Sequence, residues 1–213
     1  MALATHGDRG NRPRTVVYPR VMLQRAGIAE VEVLAAIMAR CFRSNYTGLI
    51  SEAAFEADLA IAALTERVRS YLQREVSETW AIRDGEGFVS FGASRDADAT
   101  PQVGEVYALF VEPGQQGRGQ GGELLLHAQG RLAALGYREA TLWVLDGQLS
   151  ARRFYEGAGW LQDGGRTSLS FGGRPLAAVR YRRDLGNAPV HPLMGVRPRP
   201  DGAVGAGADD RDG

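Results

Sequence analysis

Gly117, Gly119, Gly121 and Gly122 fall within one short run, Val111-Glu112-Pro113-Gly114-Gln115-Gln116-Gly117-Arg118-Gly119-Gln120-Gly121-Gly122. Residues without a Cβ let an anion reach several backbone N–H groups at once, so the chemistry offered here is the holding of a phosphate. The flanks say where the run sits. Before it, Val103 to Val111 alternates as a strand should, with Val106, Ala108 and Phe110 on one face and Glu105, Tyr107, Leu109 and Val111 on the other. After it, Leu124, Leu125, Ala128, Leu132 and Leu135 recur at helical spacing, and Gly136 stands where a left-handed cap is wanted. The glycines thus join a strand to a helix N-terminus, where unpaired amides and the positive end of the helix dipole face any anion that comes close.

Other elements must position that junction. Val21 to Gln24 reads as a short strand. From Ala29, Val31, Leu34, Met38 and Phe42 mark an amphipathic helix that ends before Arg43-Ser44-Asn45. Ser51 and Glu52 open a second helix with the stripe Phe55, Leu59, Leu64, Val68, Tyr71 and Leu72. Thr79 to Arg83 and Phe88 to Ser94 read as a hairpin around Asp84-Gly85-Glu86-Gly87, followed by a polar loop from Arg95 to Gln102. Ala140 to Leu145 is a further strand, and Ser150 caps a short helix that Gly159 stops. Thr167 to Phe171 and Ala177 to Asp184 close the pattern as two strands. The order is mixed α/β.

At 213 residues the chain reads as one domain over 20–186, with a loose polar arm at 1–19 and a disordered Gly/Pro/Asp-rich tail at 187–213. A formal net charge of +0 points to neither nucleic acid nor an anionic membrane as the main partner. No apolar run has the length of a signal peptide core or a membrane span, and the one cysteine, Cys41, suits a reducing compartment, so a cytoplasmic protein is expected. Cys41 itself reads as a core residue. His127 reads as an exposed helix residue, and no His/Cys/Asp/Glu cluster has metal-ligand spacing.

Three phosphate cradles compete for the glycine run. A nucleotide-hydrolysing P-loop needs a lysine after its last glycine, and all 25 basic residues here are arginine. The dinucleotide fingerprint G-x-G-x-x-G is matched literally by Gly117, Gly119 and Gly122, with Asp146 placed as a ribose-binding acid. Against it, five residues including Pro113 separate the strand from Gly117, and too little chain follows Asp146 for a doubly wound sheet.

The third reading starts from Gln116-Gly117-Arg118-Gly119-Gln120-Gly121, which follows Val111-Glu112-Pro113 and precedes the helix. Downstream come Leu142-Trp143-Val144-Leu145 and then Ala151-Arg152-Arg153-Phe154-Tyr155-Glu156-Gly157-Ala158-Gly159-Trp160. Both stretches, in this order and separation, resemble the acyl-CoA signature and the last helix of the GCN5-related N-acetyltransferase (GNAT) superfamily. The resemblance runs from about Arg20 to Leu185, and its specific part is Glu105 to Trp160.

That resemblance implies a mixed, mostly antiparallel sheet flanked by helices on both faces, with a splayed parallel strand pair holding acyl-CoA. It implies that Gln116, Gly117, Arg118, Gly119, Gln120, Gly121 and Gly122 bind the pyrophosphate, and that Leu109, Phe110 and Val111 pair with the pantetheine arm. An amide in that strand segment would polarise the acetyl carbonyl. Tyr155 aligns with the residue that protonates the departing thiolate, and Glu105 is the candidate acceptor of the substrate proton, through water. Many relatives carry asparagine as a coenzyme contact where this chain has Gln148; the added methylene either shifts the geometry of that contact or removes it. The expected partners are acetyl-CoA, as acyl donor, and an amine, either a small molecule or a protein amine, with no metal and with a homodimer allowed for. The rivals kept open are a non-catalytic acyl-CoA-binding module and a dinucleotide-binding protein.

Overall fold

The structure, a computed structural model, describes residues 21–45, 59–171 and 174–186. The expected arm at 1–19, the opening of the second helix at Ser51 to Phe55, the turn glycines 172 and 173, and the tail at 187–213 lie outside the described residues, as do His6 and His191. Four helices and seven strands are described, with two short 3-10 turns.

Apolar residues three and four apart make Val31–Asn45 an amphipathic helix, α1, that buries Leu34, Ile37, Met38, Cys41 and Phe42. It runs through Arg43, Ser44 and Asn45 rather than stopping before them. Its last turn lies at the surface, where polar residues continue a helix at no cost in burial. Helix α2, Ile61–Gln73, buries Leu64, Val68 and Tyr71 against it. Together they cover one face of the sheet.

The sheet contains β1 (Leu23–Arg25), β2 (Ser77–Ile82), β3 (Gly87–Ala93), β4 (Val103–Val111), β5 (Glu139–Leu145), β6 (Leu161–Phe171) and β7 (Arg174–Asp184). Their spatial order is β1-β2-β3-β4-β5-β7-β6. Every neighbouring pair is antiparallel except β4 and β5. One parallel pair is not a doubly wound sheet, so the dinucleotide reading loses its fold. Helix α3, Gln120–Ala134, covers the other face with Leu124, Leu125, Ala128 and Leu132. It ends as expected at Gly136, φ 95°, where the Tyr137 amide reaches back to the Leu132 carbonyl. Helix α4, Leu149–Gly157, packs on that face through Ala151, Phe154 and Tyr155. Its N-cap position is Gln148, not Ser150, and no side chain caps it.

One feature of β4 departs from simple alternation. Ser90 pairs with Ala108 and Phe91 with Val106, so Tyr107 is an extra residue bulged out of the ladder with β3. A one-residue insertion exchanges the faces beyond it. Val106, Leu109 and Val111 accordingly pack in the core under α3, while Tyr107, Ala108 and Phe110 face α1 and α2. The sequence expectation of Val106, Ala108 and Phe110 on a single face fails at the bulge, and Glu105 shares a side with Tyr107 but not with Leu109.

Gly92 lies beside this bulge, and a Cβ there would come within 2.4 Å of the Val76 carbonyl and 2.6 Å of the Tyr107 hydroxyl. Backbone cannot yield as a flexible side chain does. Gly92→Ala is therefore expected to cost about 1–3 kcal/mol of stability, read as a lowered midpoint in chemical denaturation. An unchanged midpoint would mean that the bulge relaxes freely.

Candidate active site

The parallel ladder between β4 and β5 runs only from Val103, Gly104 and Glu105 to Glu139, Ala140 and Thr141. Beyond that the strands part. Val106 to Val111 on one side and Leu142 to Leu145 on the other line a cavity of about 790 Å³. A strand pair that opens in this way leaves main-chain groups of β4 without a strand partner on the β5 side, where an extended ligand can pair as an added strand. Val111 is an exception in part, since its carbonyl already accepts from the Cys41 thiol at 3.1 Å and from Gln116 Nε2 at 3.0 Å.

At the open end of the splay the chain enters a 3-10 turn, Pro113–Gln115, and then the glycine run. Gly117 at φ 77° and Gly119 at φ 87° are in the left-handed region that glycine takes without strain. Gly119 is the N-cap of α3, and the first helical bond runs from the Glu123 amide to the Gly119 carbonyl. The amides of Gln120, Gly121 and Gly122 therefore have no partner within the helix. A Cβ at Gly117 or Gly122 would meet nothing within 4 Å, so the space over these amides is open. Two contacts hold the turn in place: Arg40 of α1 pairs with Glu112, and Gln120 Nε2 donates to Glu86 Oε2 in the β2–β3 hairpin. The residues present fit a pyrophosphate. Arg118 is exposed at the rim rather than in the cavity wall.

The last helix meets this turn directly. A Cβ at Gly121 would lie 3.5 Å from the Phe154 ring, so Phe154 packs beneath the cradle. Tyr155 lines the same cavity, with its ring 5.0 Å from Phe154, 6.2 Å from Trp160 and 6.4 Å from Tyr181. Gln148 is buried and also lines the cavity, and its amide donates to the Asn45 carbonyl at the end of α1. Arg152 of α4 binds the Asp146 carboxylate at 2.6 Å and the Tyr181 hydroxyl at 3.2 Å.

At the opposite end of β4 sits Glu105, 2% exposed. Arg95 supplies it with three donors: the backbone amide at 2.8 Å and Nε at 3.1 Å to Oε2, and an Nη2 bond to Oε1. The Arg95 guanidinium lies 4.5 Å from the centre of the Tyr107 ring, and Tyr71 stacks on Tyr107 at 5.9 Å. The Tyr107 hydroxyl donates to the Ala93 carbonyl at 2.6 Å, and burial pushes its pKa up to about 12. Trp143 completes this end, donating from Nε1 to Asp96 at 2.8 Å. Asp96 is itself held by Arg180, which also binds Asp98 and Asp163.

Cys41 is buried as expected of a core residue, yet it touches the site at Val111. Burial pushes its thiol up to about 12, and neighbouring Glu112 adds to the shift. An unfolded chain loses this proton near pH 9.0 and the folded chain keeps it to about 12. The native state then binds more protons in that window, so stability falls as pH rises through it. Denaturation midpoints are expected to drop between pH 9 and 10, ahead of the Tyr107 contribution, and Cys41→Ala is expected to flatten that drop. An equal slope in the variant would assign the loss elsewhere.

The profile of the Acetyltransferase (GNAT) family matches residues 34–160, over half of the chain and every wall of the cavity except its rim at Leu169 and Ser170. The chain belongs to this family. A comparison with curated proteins returns no match. Solved structures of GNAT folds superpose on it well. A GCN5-related N-acetyltransferase from Rhodopseudomonas palustris has a TM-score of 0.60 at 21% identity, covering 79% of this chain and 98% of that one. The PaiA N-acetyltransferase from Thermoplasma acidophilum, solved with coenzyme A, has a TM-score of 0.56 at 16% identity, covering 77% and 98%. The putative acetyltransferase YncA from Salmonella typhimurium, solved with acetyl-CoA, has a TM-score of 0.58 at 18% identity, covering 80% and 97%. This GNAT protein is an acyltransferase by family.

Of the residues singled out in the sequence, Glu105, Leu109, Phe110, Val111, Gln116, Gly117, Gly119, Gly121, Gly122, Gln148 and Tyr155 border one cavity of the GNAT fold, whereas Arg118 and Gln120 lie outside its wall. The sequence reading missed Arg95, Tyr71, Tyr107, Trp143 and Arg67 as members. Arg95 stands in a polar loop and carries no motif, and only the short span to Glu105 hinted that the two could meet. His127 is not exposed: it packs on Trp80 at 4.4 Å, and burial lowers its pKa. Among the described residues no His/Cys/Asp/Glu group could hold a metal, and no helix is long and apolar enough to cross a membrane.

Proposed function

We propose that the protein transfers the acetyl group of acetyl-CoA to a primary amine by direct attack in a ternary complex. The observation that carries this reading is the opening between β4 and β5 beside a glycine turn with unpaired amides, with Tyr155 and Glu105 bordering the same cavity. The turn binds the pyrophosphate and the splay takes the pantetheine arm beside Leu109 and Phe110, while Gln148 braces the wall.

A neutral amine attacks the thioester carbonyl, its N–H proton leaves, the C–S bond breaks, and the thiolate takes a proton. Tyr155 supplies that last proton, since a phenol near 10 and a thiol near 8.5 are roughly matched. Glu105 receives the amine proton through water. A carboxylate has about four lone-pair sites, and Arg95 takes three of them, which leaves one on Oε1 for that water. Glu105→Gln keeps the shape and loses the charge, and is expected to lower kcat about tenfold or more, with the KM for acetyl-CoA held.

The deciding experiment measures coenzyme A release from acetyl-CoA across a broad amine panel, with thermal stabilisation by acetyl-CoA and NAD beside it. Turnover with an amine and stabilisation by acetyl-CoA alone support the reading. Stabilisation without release above background, for any amine, would make the protein a non-catalytic acyl-CoA-binding module.

A further inference from the structure

Among the described residues several arginines are matched to acids: Arg40 to Glu112, Arg131 to Glu78, Arg152 to Asp146, Arg180 to Asp96, Asp98 and Asp163, Arg182 to Glu139. Two arginines line the cavity, Arg67 and Arg95. Arg95 is neutralised by Glu105. Arg67 is half-buried in the wall, and among the described residues its guanidinium has no carboxylate, carbonyl or hydroxyl partner. A guanidinium half-shielded from water and without a partner in the protein leaves its charge available to a ligand that supplies the counter-charge.

Position decides which ligand. Arg67 precedes Tyr71 by one helical turn on α2, so the two side chains share a face. Tyr71 stacks on Tyr107, which lies under Arg95 beside Glu105. The charges acting on the Tyr71 hydroxyl are those of Arg67, Arg95, Glu105 and Arg74, with Arg67 foremost. This is the Glu105 end of β4, several residues from the glycine turn at its other end, so Arg67 stands in the acceptor half of the cavity and not over the pyrophosphate. A cationic polyamine would meet an uncompensated guanidinium there.

We infer that the acceptor amine carries an oxyanion, a carboxylate or a phosphonate, and that Arg67 with the Tyr71 hydroxyl binds it while the amine faces Glu105. This deepens the acetyl-transfer reading and rests on it. An oxyanion on a guanidinium makes charge-assisted, often bidentate bonds, and an acceptor lacking it leaves Arg67 unmatched.

The test uses matched acceptors at saturating acetyl-CoA: α-amino acids against their amides, and aminoalkylphosphonates against plain alkylamines. The oxyanion member of a pair is expected to have a kcat/KM about ten- to a hundredfold higher, and the pair that shows it distinguishes carboxylate from phosphonate. Arg67→Ala is expected to erase this preference by raising the acceptor KM, and Arg67→Glu to reverse it, with the thermal midpoint and the KM for acetyl-CoA held. Turnover confined to neutral or cationic amines, or equal within each pair, overturns the inference alone. So does an Arg67→Ala variant whose defect falls on the KM for acetyl-CoA or on stability, since the arginine would then serve the coenzyme or the fold. Acetyl-CoA binding without turnover of any amine sinks the transferase reading and the inference together.

Discussion

Tyr155→Phe is expected to lower kcat by about a hundredfold while the KM for acetyl-CoA stays near that of the parent. The substitution removes one hydroxyl and leaves the ring, whose packing on Phe154, Trp160 and Tyr181 holds α4 against the sheet. Loss of the hydroxyl costs about 0.5–1.5 kcal/mol of stability, so a folded variant with a modestly changed thermal midpoint accompanies the slow turnover. A phenol acting on the departing thiolate matters in the transition state and not in ground-state binding, which is why kcat and kcat/KM fall together. Steady-state kinetics with one good acceptor decides the point. A kcat close to the parent value would show that water protonates the thiolate, and would return Tyr155 to a packing role.

Gly122→Glu is expected to raise the KM for acetyl-CoA about thirtyfold without weakening the fold. A Cβ at Gly122 meets nothing within 4 Å, so the side chain fits. With Gly119 as N-cap, position 122 is the third residue of α3, where an acid favours the helix by about 0.3–1 kcal/mol through the dipole. The same carboxylate would stand over the amides proposed to receive the pyrophosphate. Like charges about 8 Å apart near a protein surface repel by about 2 kcal/mol, hence the thirtyfold. The expected signature is an unfolding midpoint equal to or above that of the parent, combined with weak acetyl-CoA stabilisation. Unimpaired binding would mean that the phosphates lie elsewhere. Gly122→Ala serves as the neutral control and is expected to bind nearly as the parent does.

The local signals read well because each rests on short-range physics. Val103–Val111 was legible to the residue from alternation and Pro113, and Gly136 marked the end of α3 because a left-handed cap favours glycine. The bulge at Tyr107 was not legible. It is defined by β3, since only the pairing of Ser90 with Ala108 and Phe91 with Val106 makes Tyr107 the extra residue. Similarly, the Gln148 amide donates to the Asn45 carbonyl across a sequence separation of 103, a contact that no local pattern encodes.

The sequence by itself determined the glycine turn, its place between a strand and a helix, and, through Phe154 and Tyr155 downstream, the family. These depend on residues whose backbone conformation or spacing is set nearby. Tertiary structure decided what the cavity holds at its other end: Arg95 closing on Glu105, Tyr71 from α2 stacked on Tyr107, and Arg67 left in the wall without a partner among the described residues. Those residues come from three separate elements. Their meeting follows from the order in which helices and strands pack, and charge balance in a cavity exists only once its walls are assembled.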